Sequence, residues 1–426
     1  MTTAAITRRS ALLLSLLAIS ATAADWPRFR GPNGSAVSDE TGLATTWSPS
    51  ENVLWKTELP GPGSSSPITT GGRVFLTCYT GYGIDRNAPG ESEDLERHLI
   101  CLDQKDGRVL WQRSIKAKVP EDPPQGFLME HGYASSTPAT DGERVYVLFG
   151  KTGVLAFGLD GSPLWEADVG TGSAIMGWGS ASSPIVHENM VIVSASAEGP
   201  AMVALDKLTG AEVWKADAEG SRGSWGTPVL ARGRDGNLEL ALNVPYEVWG
   251  FSLKTGNLLW FAAAPEDNVI CTSPVAHDDM VYVVGGRRGG SVAVRAGGRG
   301  EVTESHTAWK SDLASYVPSA VLYENHLYWV TDRGIAYCVK ADTGETVFQE
   351  RLGDAGQIYA SAVAADGKLY VVTRFNGTFV LAAKPQFERL AQNKLDDESD
   401  FNASPAISNG QLILRSNKFC YSIKKE

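Results

Sequence analysis

The sequence is poor in the residues that most often carry chemistry or cross-links. It has only five cysteines and six histidines in 426 residues. No two cysteines are adjacent, and no spacing is typical of a zinc or haem site. No histidine is paired with a motif serine or cysteine, so a nucleophile–base–acid triad cannot be assembled. We therefore assign no catalytic and no metal-ligating residue.

Positive charge is also in the minority, since 38 Lys and Arg stand against 49 Asp and Glu, a formal net charge of −11. Such an acidic chain is a poor candidate for binding nucleic acid or an anionic membrane surface. Its apolar run from Ala11 to Ile19 is too short to span a bilayer. Because that run follows two arginines and precedes a small-residue cleavage site, residues 1–23 are predicted to be a signal peptide.

The mature chain is therefore expected to be exported and periplasmic. The segment around Arg8 and Arg9 resembles a twin-arginine signal, but Ala11 stands where that pattern usually has Phe, so ordinary secretion stays equally open. No cysteine lies near the cleavage site, which argues against a lipid anchor.

A repeat dominates the rest of the chain, which is rich in glycine, with 45 residues. Its type copy, residues 182–214, reads as three short strands, a tight turn and a closing Trp. Copies begin at Ser66-Pro67, Thr137-Pro138, Ser183-Pro184, Thr227-Pro228, Ser273-Pro274, Ser319-Ala320, Ser361-Ala362 and Ser404-Pro405. These eight starts are separated by 71, 46, 44, 46, 46, 42 and 43 residues, spacings that, apart from the first, are typical of four-stranded propeller blades.

The eighth copy ends before a fourth strand, but residues 53–59, with Trp55, resemble an outer strand at the other end of the chain. Joining both ends in one blade would close the ring and remove its free edges. The sequence thus predicts an all-β, eight-bladed β-propeller over residues 53–426. Residues 24–52 are expected to form an extended strap over the outside of the ring.

Two insertions interrupt the first blade, at residues 80–97 and 115–133. Loops between second and third strands share one face of a propeller with the blade-to-blade links. Both insertions are therefore expected to decorate one mouth of the central channel, which is the predicted functional face. Their many carboxylates make one sector of that face acidic.

The cysteines are interpreted as packing residues. Cys101, Cys338 and Cys420 occupy the third-strand position that holds Ala204 in the type repeat, which indicates a small buried site. Cys78 and Cys101 flank the first insertion and are the only pair considered for a disulfide.

The candidate site is a set of aromatic and basic side chains around the predicted mouth. Aromatic rings could stack on a sugar, a quinone or peptide side chains, or merely cap the blade edges. Cations could hold the carboxylates of a quinone or an acidic partner segment, or be solvated turn residues. The candidates are His131, Tyr133, Trp178, Arg222, Trp225, Arg287, Arg288, Tyr316, Arg333, Tyr359, Arg374 and Phe401.

The type repeat also carries a family resemblance. Its turn and outer strand, from Ala204 through Asp206, Thr209 and Gly210 to Trp214, are similar to the tryptophan-docking motif of PQQ-like β-propeller repeat proteins. Asp and Thr can bond the turn backbone, Gly permits positive φ, and Trp packs between blades. The resemblance covers about residues 53–426 and implies that the motif residues are structural.

Two branches of that family imply different functions. Quinoprotein dehydrogenases hold pyrroloquinoline quinone and calcium in the channel mouth, and many carry adjacent cysteines, which this chain lacks. The BamB-like branch binds no quinone and acts as a scaffold in outer-membrane protein assembly, and it matches better in length and plain blades.

The leading expectation is therefore a non-catalytic binding or scaffolding module of the cell envelope, monomeric and without a cofactor. Its partner would be an envelope protein or peptide segment, or a small planar or saccharide ligand. A small quinoprotein-like oxidoreductase using pyrroloquinoline quinone with calcium, and a carbohydrate-binding or carbohydrate-processing accessory protein, are the alternatives.

Overall fold

The computed structural model describes residues 25–264, 267–287 and 289–425. The predicted signal peptide therefore lies outside the described residues. Those residues form eight sheets, each built around four antiparallel strands, which confirms the eight-bladed β-propeller. No helix in this part of the chain is long and apolar enough to cross a membrane.

The strands follow the predicted repeat. The N-terminal segment holds β1 (Val37–Ser38) and β2 (Val53–Glu58). Blade 1 holds β3 (Ile68–Thr70), β4 (Arg73–Thr80), β5 (Glu96–Asp103) and β6 (Val109–Lys116). Blade 2 holds β7 (Ala139–Thr140), β8 (Arg144–Leu148), β9 (Val154–Gly158) and β10 (Pro163–Ala167). Blade 3 holds β11 (Ile185–His187), β12 (Met190–Ser194), β13 (Ala201–Asp206) and β14 (Glu212–Asp217). Blade 4 holds β15 (Val229–Arg232), β16 (Leu238–Val244), β17 (Glu247–Ser252) and β18 (Leu258–Ala263).

Blade 5 holds β19 (Val275–His277), β20 (Met280–Gly285), β21 (Gly290–Arg295) and β23 (Thr307–Ser311), while β22 (Gly300–Glu301) adds a fifth, parallel strand to the outer edge of blade 4. Blade 6 holds β24 (Val321–Tyr323), β25 (His326–Val330), β26 (Ile335–Lys340) and β27 (Thr346–Arg351). Blade 7 holds β28 (Val363–Ala365), β29 (Lys368–Val372), β30 (Thr378–Ala382) and β31 (Arg389–Asn393). Blade 8 holds β32 (Ala406–Ser408), β33 (Gln411–Arg415) and β34 (Phe419–Lys424).

Within the described residues, helical structure is limited to short segments outside the strands. The two α-helices are α1 (Leu128–His131) and α2 (Thr303–His306). Single 3₁₀ turns occupy Pro32–Gly34, Ser92–Asp94, Gly150–Thr152 and Glu219–Ser221. Of these segments, α1 matters most for the channel, because it lies in the second insertion.

Blade 8 is closed by the N-terminal strand, as the sequence predicts. Strand β2 pairs antiparallel with β34, and Trp55 lies opposite Ser422. The indole Nε1 of Trp55 then donates to the carbonyl of Gln104 in blade 1, at 2.9 Å. Both ends of the chain therefore share one sheet, and the ring has no open junction.

Several closing tryptophans join one blade to the next. Trp165 of blade 2 packs against Gly210 of blade 3, where a Cβ would lie 2.5 Å from the indole ring. Gly210 also has a φ of 73°, so glycine is required there on two counts. Oδ1 of Asp206 accepts bonds from the backbone N–H groups of Leu208 and Thr209. The structural interpretation of the docking motif is thus confirmed.

The hydroxyl groups at the repeat starts have a role that the sequence pattern did not reveal. The backbone N–H of Ser66 donates to Oγ1 of Thr137 at 2.9 Å, linking blade 1 to blade 2. The same bond recurs at six further junctions, at 2.8 to 3.0 Å. We name this hydroxyl ring after its members, Ser66, Thr137, Ser183, Thr227, Ser273, Ser319, Ser361 and Ser404.

The N-terminal strap follows a different path from the outside route that the sequence suggested. Its first part crosses the end of the channel opposite the insertions, which we call the floor. Trp26 is buried and bridges to Thr69 in β3, and β1 pairs in parallel with β28, the inner strand of blade 7. Only the later part runs along the outside, where the backbone N–H of Trp47 donates to Oδ1 of Asn393 at 3.0 Å.

The considered disulfide between Cys78 and Cys101 is wrong. Cys78 lies opposite His98 and Cys101 opposite Phe75, so the two residues are out of register across β4 and β5. All five cysteines are free, and Cys101, Cys338 and Cys420 are buried as predicted.

Candidate functional site

The two insertions of blade 1 pack together on one face of the ring, which we call the mouth. Tyr82 of the first insertion contacts Tyr133 at the end of the second, with ring centroids 5.5 Å apart. The Tyr133 hydroxyl donates to the carbonyl of Asp122 at 2.7 Å. Arg86 of the first insertion pairs with Glu130 of the second at 3.2 Å. The second insertion is therefore held in place by two contacts with the first insertion and by a hydrogen bond within itself.

Phe127 of the second insertion closes the centre of the mouth. Its ring centroid lies 5.0 Å from that of Trp178, 5.5 Å from that of Tyr316 and 5.4 Å from that of Tyr359. These three rings precede blades 3, 6 and 7, on different sides of the channel. Phe127 thus covers the opening, and we call the second insertion, which carries it, the lid. Its one signal in the sequence was an aromatic residue within a polar insertion, and the sequence analysis did not single it out.

Arg374 fastens this lid. Its guanidinium donates to Oε2 of Glu130 at 2.8 Å and to the carboxylate of Asp400. It also bonds Oε1 of Gln357 at 2.7 Å and lies 4.7 Å from the centroid of the Tyr359 ring. Arg374 is 5% exposed. Its charge is therefore committed to ion pairs within the protein.

The remaining predicted cations do not converge. Arg287 is exposed and lies over the Tyr316 ring at 4.3 Å, whereas Arg222 pairs with Glu219 at 2.5 Å. The exposed Arg333 uses its carbonyl to accept a bond from Arg351. Arg288 lies outside the described residues.

The predicted aromatic residues are mostly covered by the insertions instead of forming an open rim. Tyr133, Trp225, Tyr316 and Phe401 are buried, and Phe401 stacks on Tyr421 with centroids 6.1 Å apart. The half-buried Trp178 and Tyr359 complete the set. Trp178 and Trp225 contact each other at 5.2 Å.

Beneath Phe127 lies a cavity of about 140 Å³, which we call the chamber. Phe29 of the strap lines its floor side, and Phe127, Trp178, Trp225 and Tyr359 line its mouth side. The hydroxyl ring forms its wall. His131 and Asn402 also line it.

His131 and Glu198 are buried titratable groups whose pKa values are shifted by burial. His131 bonds Oγ of Ser135 through Nδ1 at 2.5 Å, and burial lowers its pKa to about 4, so the imidazole is neutral at pH 7. Glu198 is buried, and one of its carboxylate oxygens has no hydrogen-bond partner in the described part of the chain. Burial raises the pKa of Glu198 to about 7, despite a hydrogen bond from Ser180. The sequence analysis missed Glu198 because nothing local marks it as buried.

The residues present do not fit the quinone and calcium that the family resemblance raises. Among the described residues, no Asp, Glu, Lys or Arg lines the chamber, so it offers no cation to pair with the carboxylates of the quinone and no carboxylate to bind calcium. Among the described residues, no group of three or more His, Cys, Asp or Glu could hold a metal ion.

Several apolar side chains point outward around the mouth. Ile175 and Met176 lie in the link from blade 2 to blade 3, Ile84 in the first insertion and Phe375 between β29 and β30. Each is about half exposed, from 45% for Ile175 to 54% for Phe375. The first insertion adds the exposed carboxylates of Asp85 and Glu91. Apolar side chains this exposed on one face can serve protein–protein contact.

Comparison with known proteins identifies one family and several solved structures of the same fold. The family model described as outer membrane protein assembly factor BamB matches residues 31–114 and 96–350. The solved structure of BamB from Moraxella catarrhalis has 14% identity and a TM-score of 0.61, covering 88% of this chain and 97% of its own. Among curated proteins, no relative matches the chain.

Two enzyme structures share the fold equally well. A europium-containing methanol dehydrogenase has 12% identity and a TM-score of 0.63, over 94% of this chain and 89% of that one. The quinohemoprotein alcohol dehydrogenase from Comamonas testosteroni has 10% identity and a TM-score of 0.63, over 95% of this chain and 81% of that one. At these identities the likeness establishes the fold.

Proposed function

We propose, from the premise that the chain belongs to the family of the outer membrane protein assembly factor BamB, that it is a non-catalytic binding module of the cell envelope. Its mouth face docks a protein partner. The observation that carries the proposal is the closed mouth, where Phe127 fills the centre and Arg374 is committed to Glu130 and Asp400.

A closed mouth favours surface docking over chemistry in the channel. The substrate of an oxidoreductase would need a path to a cofactor, and Phe127 blocks that path while it lies against Trp178, Tyr316 and Tyr359. A partner protein needs only the outer surface of the mouth loops. That surface offers Met176 and Phe375 as apolar anchors.

The chemistry of the surface indicates the kind of partner. The exposed carboxylates of the first insertion favour a partner segment that combines apolar side chains with Lys or Arg. Such a segment would place its apolar side chains on the anchors and its cations beside the insertion.

Photocrosslinking tests the proposal. A benzophenone amino acid is placed at Phe375, at Met176 or, as the control, at Leu208, which is 55% exposed in the turn between β13 and β14 on the opposite face. We expect the two mouth positions to give the same adduct in cells, identified by mass spectrometry as one envelope protein, and Leu208 to give none. Adducts of equal yield from all three positions, or none from the mouth, would contradict the proposal.

A further inference from the structure

The chamber beneath Phe127 has a lining that selects for one kind of molecule. Its ends are aromatic, with Phe29 on the floor side and Phe127 on the mouth side, and its wall is the hydroxyl ring. Seven hydroxyl oxygens of the ring accept backbone N–H groups. For the hydroxyl hydrogens, the described residues provide no acceptor, so the wall presents a belt of donors.

The lining also offers a free acceptor. The amide nitrogen of Asn402 donates to the carbonyl of Glu130 at 2.7 Å, while its buried Oδ1 has no hydrogen-bond partner among the described residues. Buried polar atoms without partners are rare in proteins and indicate an absent water or ligand. The chamber thus combines several donors with at least one acceptor.

Charge excludes one class of ligand. Of the residues that the structure describes, no Asp, Glu, Lys or Arg lines the chamber, and the one imidazole among them, that of His131, is buried and neutral at pH 7. A carboxylate or an ammonium group placed there would have no counter-charge and would lose its hydration. A ligand that suits this lining is therefore uncharged, which sets the chamber apart from a site for a carboxylated quinone.

Size and shape narrow the class further. The volume of about 140 Å³ is close to that of an engineered cavity of roughly 150 Å³ that binds benzene. A single six-membered ring fits such a space. Aromatic residues at both ends favour stacking on the two faces of that ring, while the hydroxyl wall favours polar groups at its edge.

We propose that the chamber is a binding site for a neutral, ring-shaped polyol of monosaccharide size. The ring lies between Phe29 and Phe127, and its hydroxyl groups meet the hydroxyl ring and Asn402. Because Phe127 belongs to the lid and its neighbour Glu130 is held by Arg374, entry requires the lid to lift. This site is distinct from the protein-docking surface and does not depend on it.

The test is a titration of the purified protein with glucose, galactose and N-acetylglucosamine. Fluorescence of Trp178 and Trp225, which line the chamber, and calorimetry report binding. We expect saturable binding of at least one sugar at one site per chain, and none of glucuronate, which adds a carboxylate to the same ring. No saturable binding of any neutral sugar at millimolar concentration would overturn the proposal, as would equal binding of glucuronate.

A filling variant locates the site. Ala181 lines the chamber, so Ala181→Leu occupies its space without removing a polar contact, and we expect affinity to fall at least about tenfold. The matched control is Ala211→Leu in the exposed turn before β14, which should bind as the unmodified protein does. Binding that survives Ala181→Leu would place the ligand elsewhere and overturn the proposal. Crosslinking from Phe375 is scored separately, so the two proposals can fail independently.

Discussion

Replacing Arg374 by Met should release the lid while leaving the propeller folded. Arg374 joins Glu130 of the second insertion to Asp400 of the link into blade 8. Methionine keeps much of the packing volume on Tyr359 but removes the charge, which leaves Asp400 without this cation and Glu130 with only the exposed Arg86.

The size of the effect follows from the exposure of the partners. Removing one member of a buried ion pair costs about 3–5 kcal/mol. The side chains of Glu130 and Asp400 are 28% and 30% exposed, so water recovers part of that cost. We therefore expect the free energy of lid opening to fall by about 2–3 kcal/mol.

Hydrogen–deuterium exchange of peptides from residues 117–133 measures this opening. A fall of 2–3 kcal/mol corresponds to exchange that is about 30- to 160-fold faster, with peptides from β12 and β13 unchanged. The control is Arg333→Met, at the matching loop of blade 6, where the exposed guanidinium forms no ion pair in the described part of the chain. Equal exchange in the two variants would refute the account of the lid.

Three further predictions concern stability and thiol chemistry. Gly210→Ala should lower the free energy of unfolding, measured with urea, by about 2–3 kcal/mol. The control, Gly236→Ala, should lower it less, because Gly236 shares a positive φ but has no atom within 4 Å of the added Cβ. Equal losses would rule out the Trp165 clash as the cause. Burial raises the pKa of Glu198 from 4.5 to about 7, so its contribution to stability is present below pH 4.5 and lost as pH rises through 7. The free energy of unfolding measured across this range should show that loss in the unmodified protein and not in Glu198→Gln. Parallel curves for the two proteins would contradict the prediction. Burial also raises the pKa of all five thiols, so Ellman's reagent should react slowly with the native protein. After unfolding without reductant, it should react with five thiols per chain. A count of three would reveal a disulfide.

Features that recur in every blade could be predicted from the sequence, because each copy makes the same local contact. The Ser/Thr start marks the hydroxyl ring, and Trp165 with Gly210 shows how the closing tryptophan joins blades. Ring closure by residues 53–59 followed from counting strands. The pattern located these residues before the structure gave the reason for them.

The candidate site was less predictable, because its contacts join residues that are far apart in sequence and that occur only once. Arg374 was identified as a rim cation, but its pairing with Glu130 depends on how an irregular insertion crosses the mouth. The same is true of Phe127, which no repeat position marks. The path of the strap across the floor depends on burial of Trp26, which composition could not reveal.

Titration with pyrroloquinoline quinone and calcium tests the central claim most directly, since it separates a docking module from an oxidoreductase. Trp178 and Trp225 line the chamber, so quenching of the tryptophan fluorescence reports a cofactor bound there. A closed mouth and an uncharged chamber predict no saturable quenching and no rise in thermal midpoint. Saturable quenching with a raised midpoint, lost in Arg287→Met, would contradict the account and support the oxidoreductase.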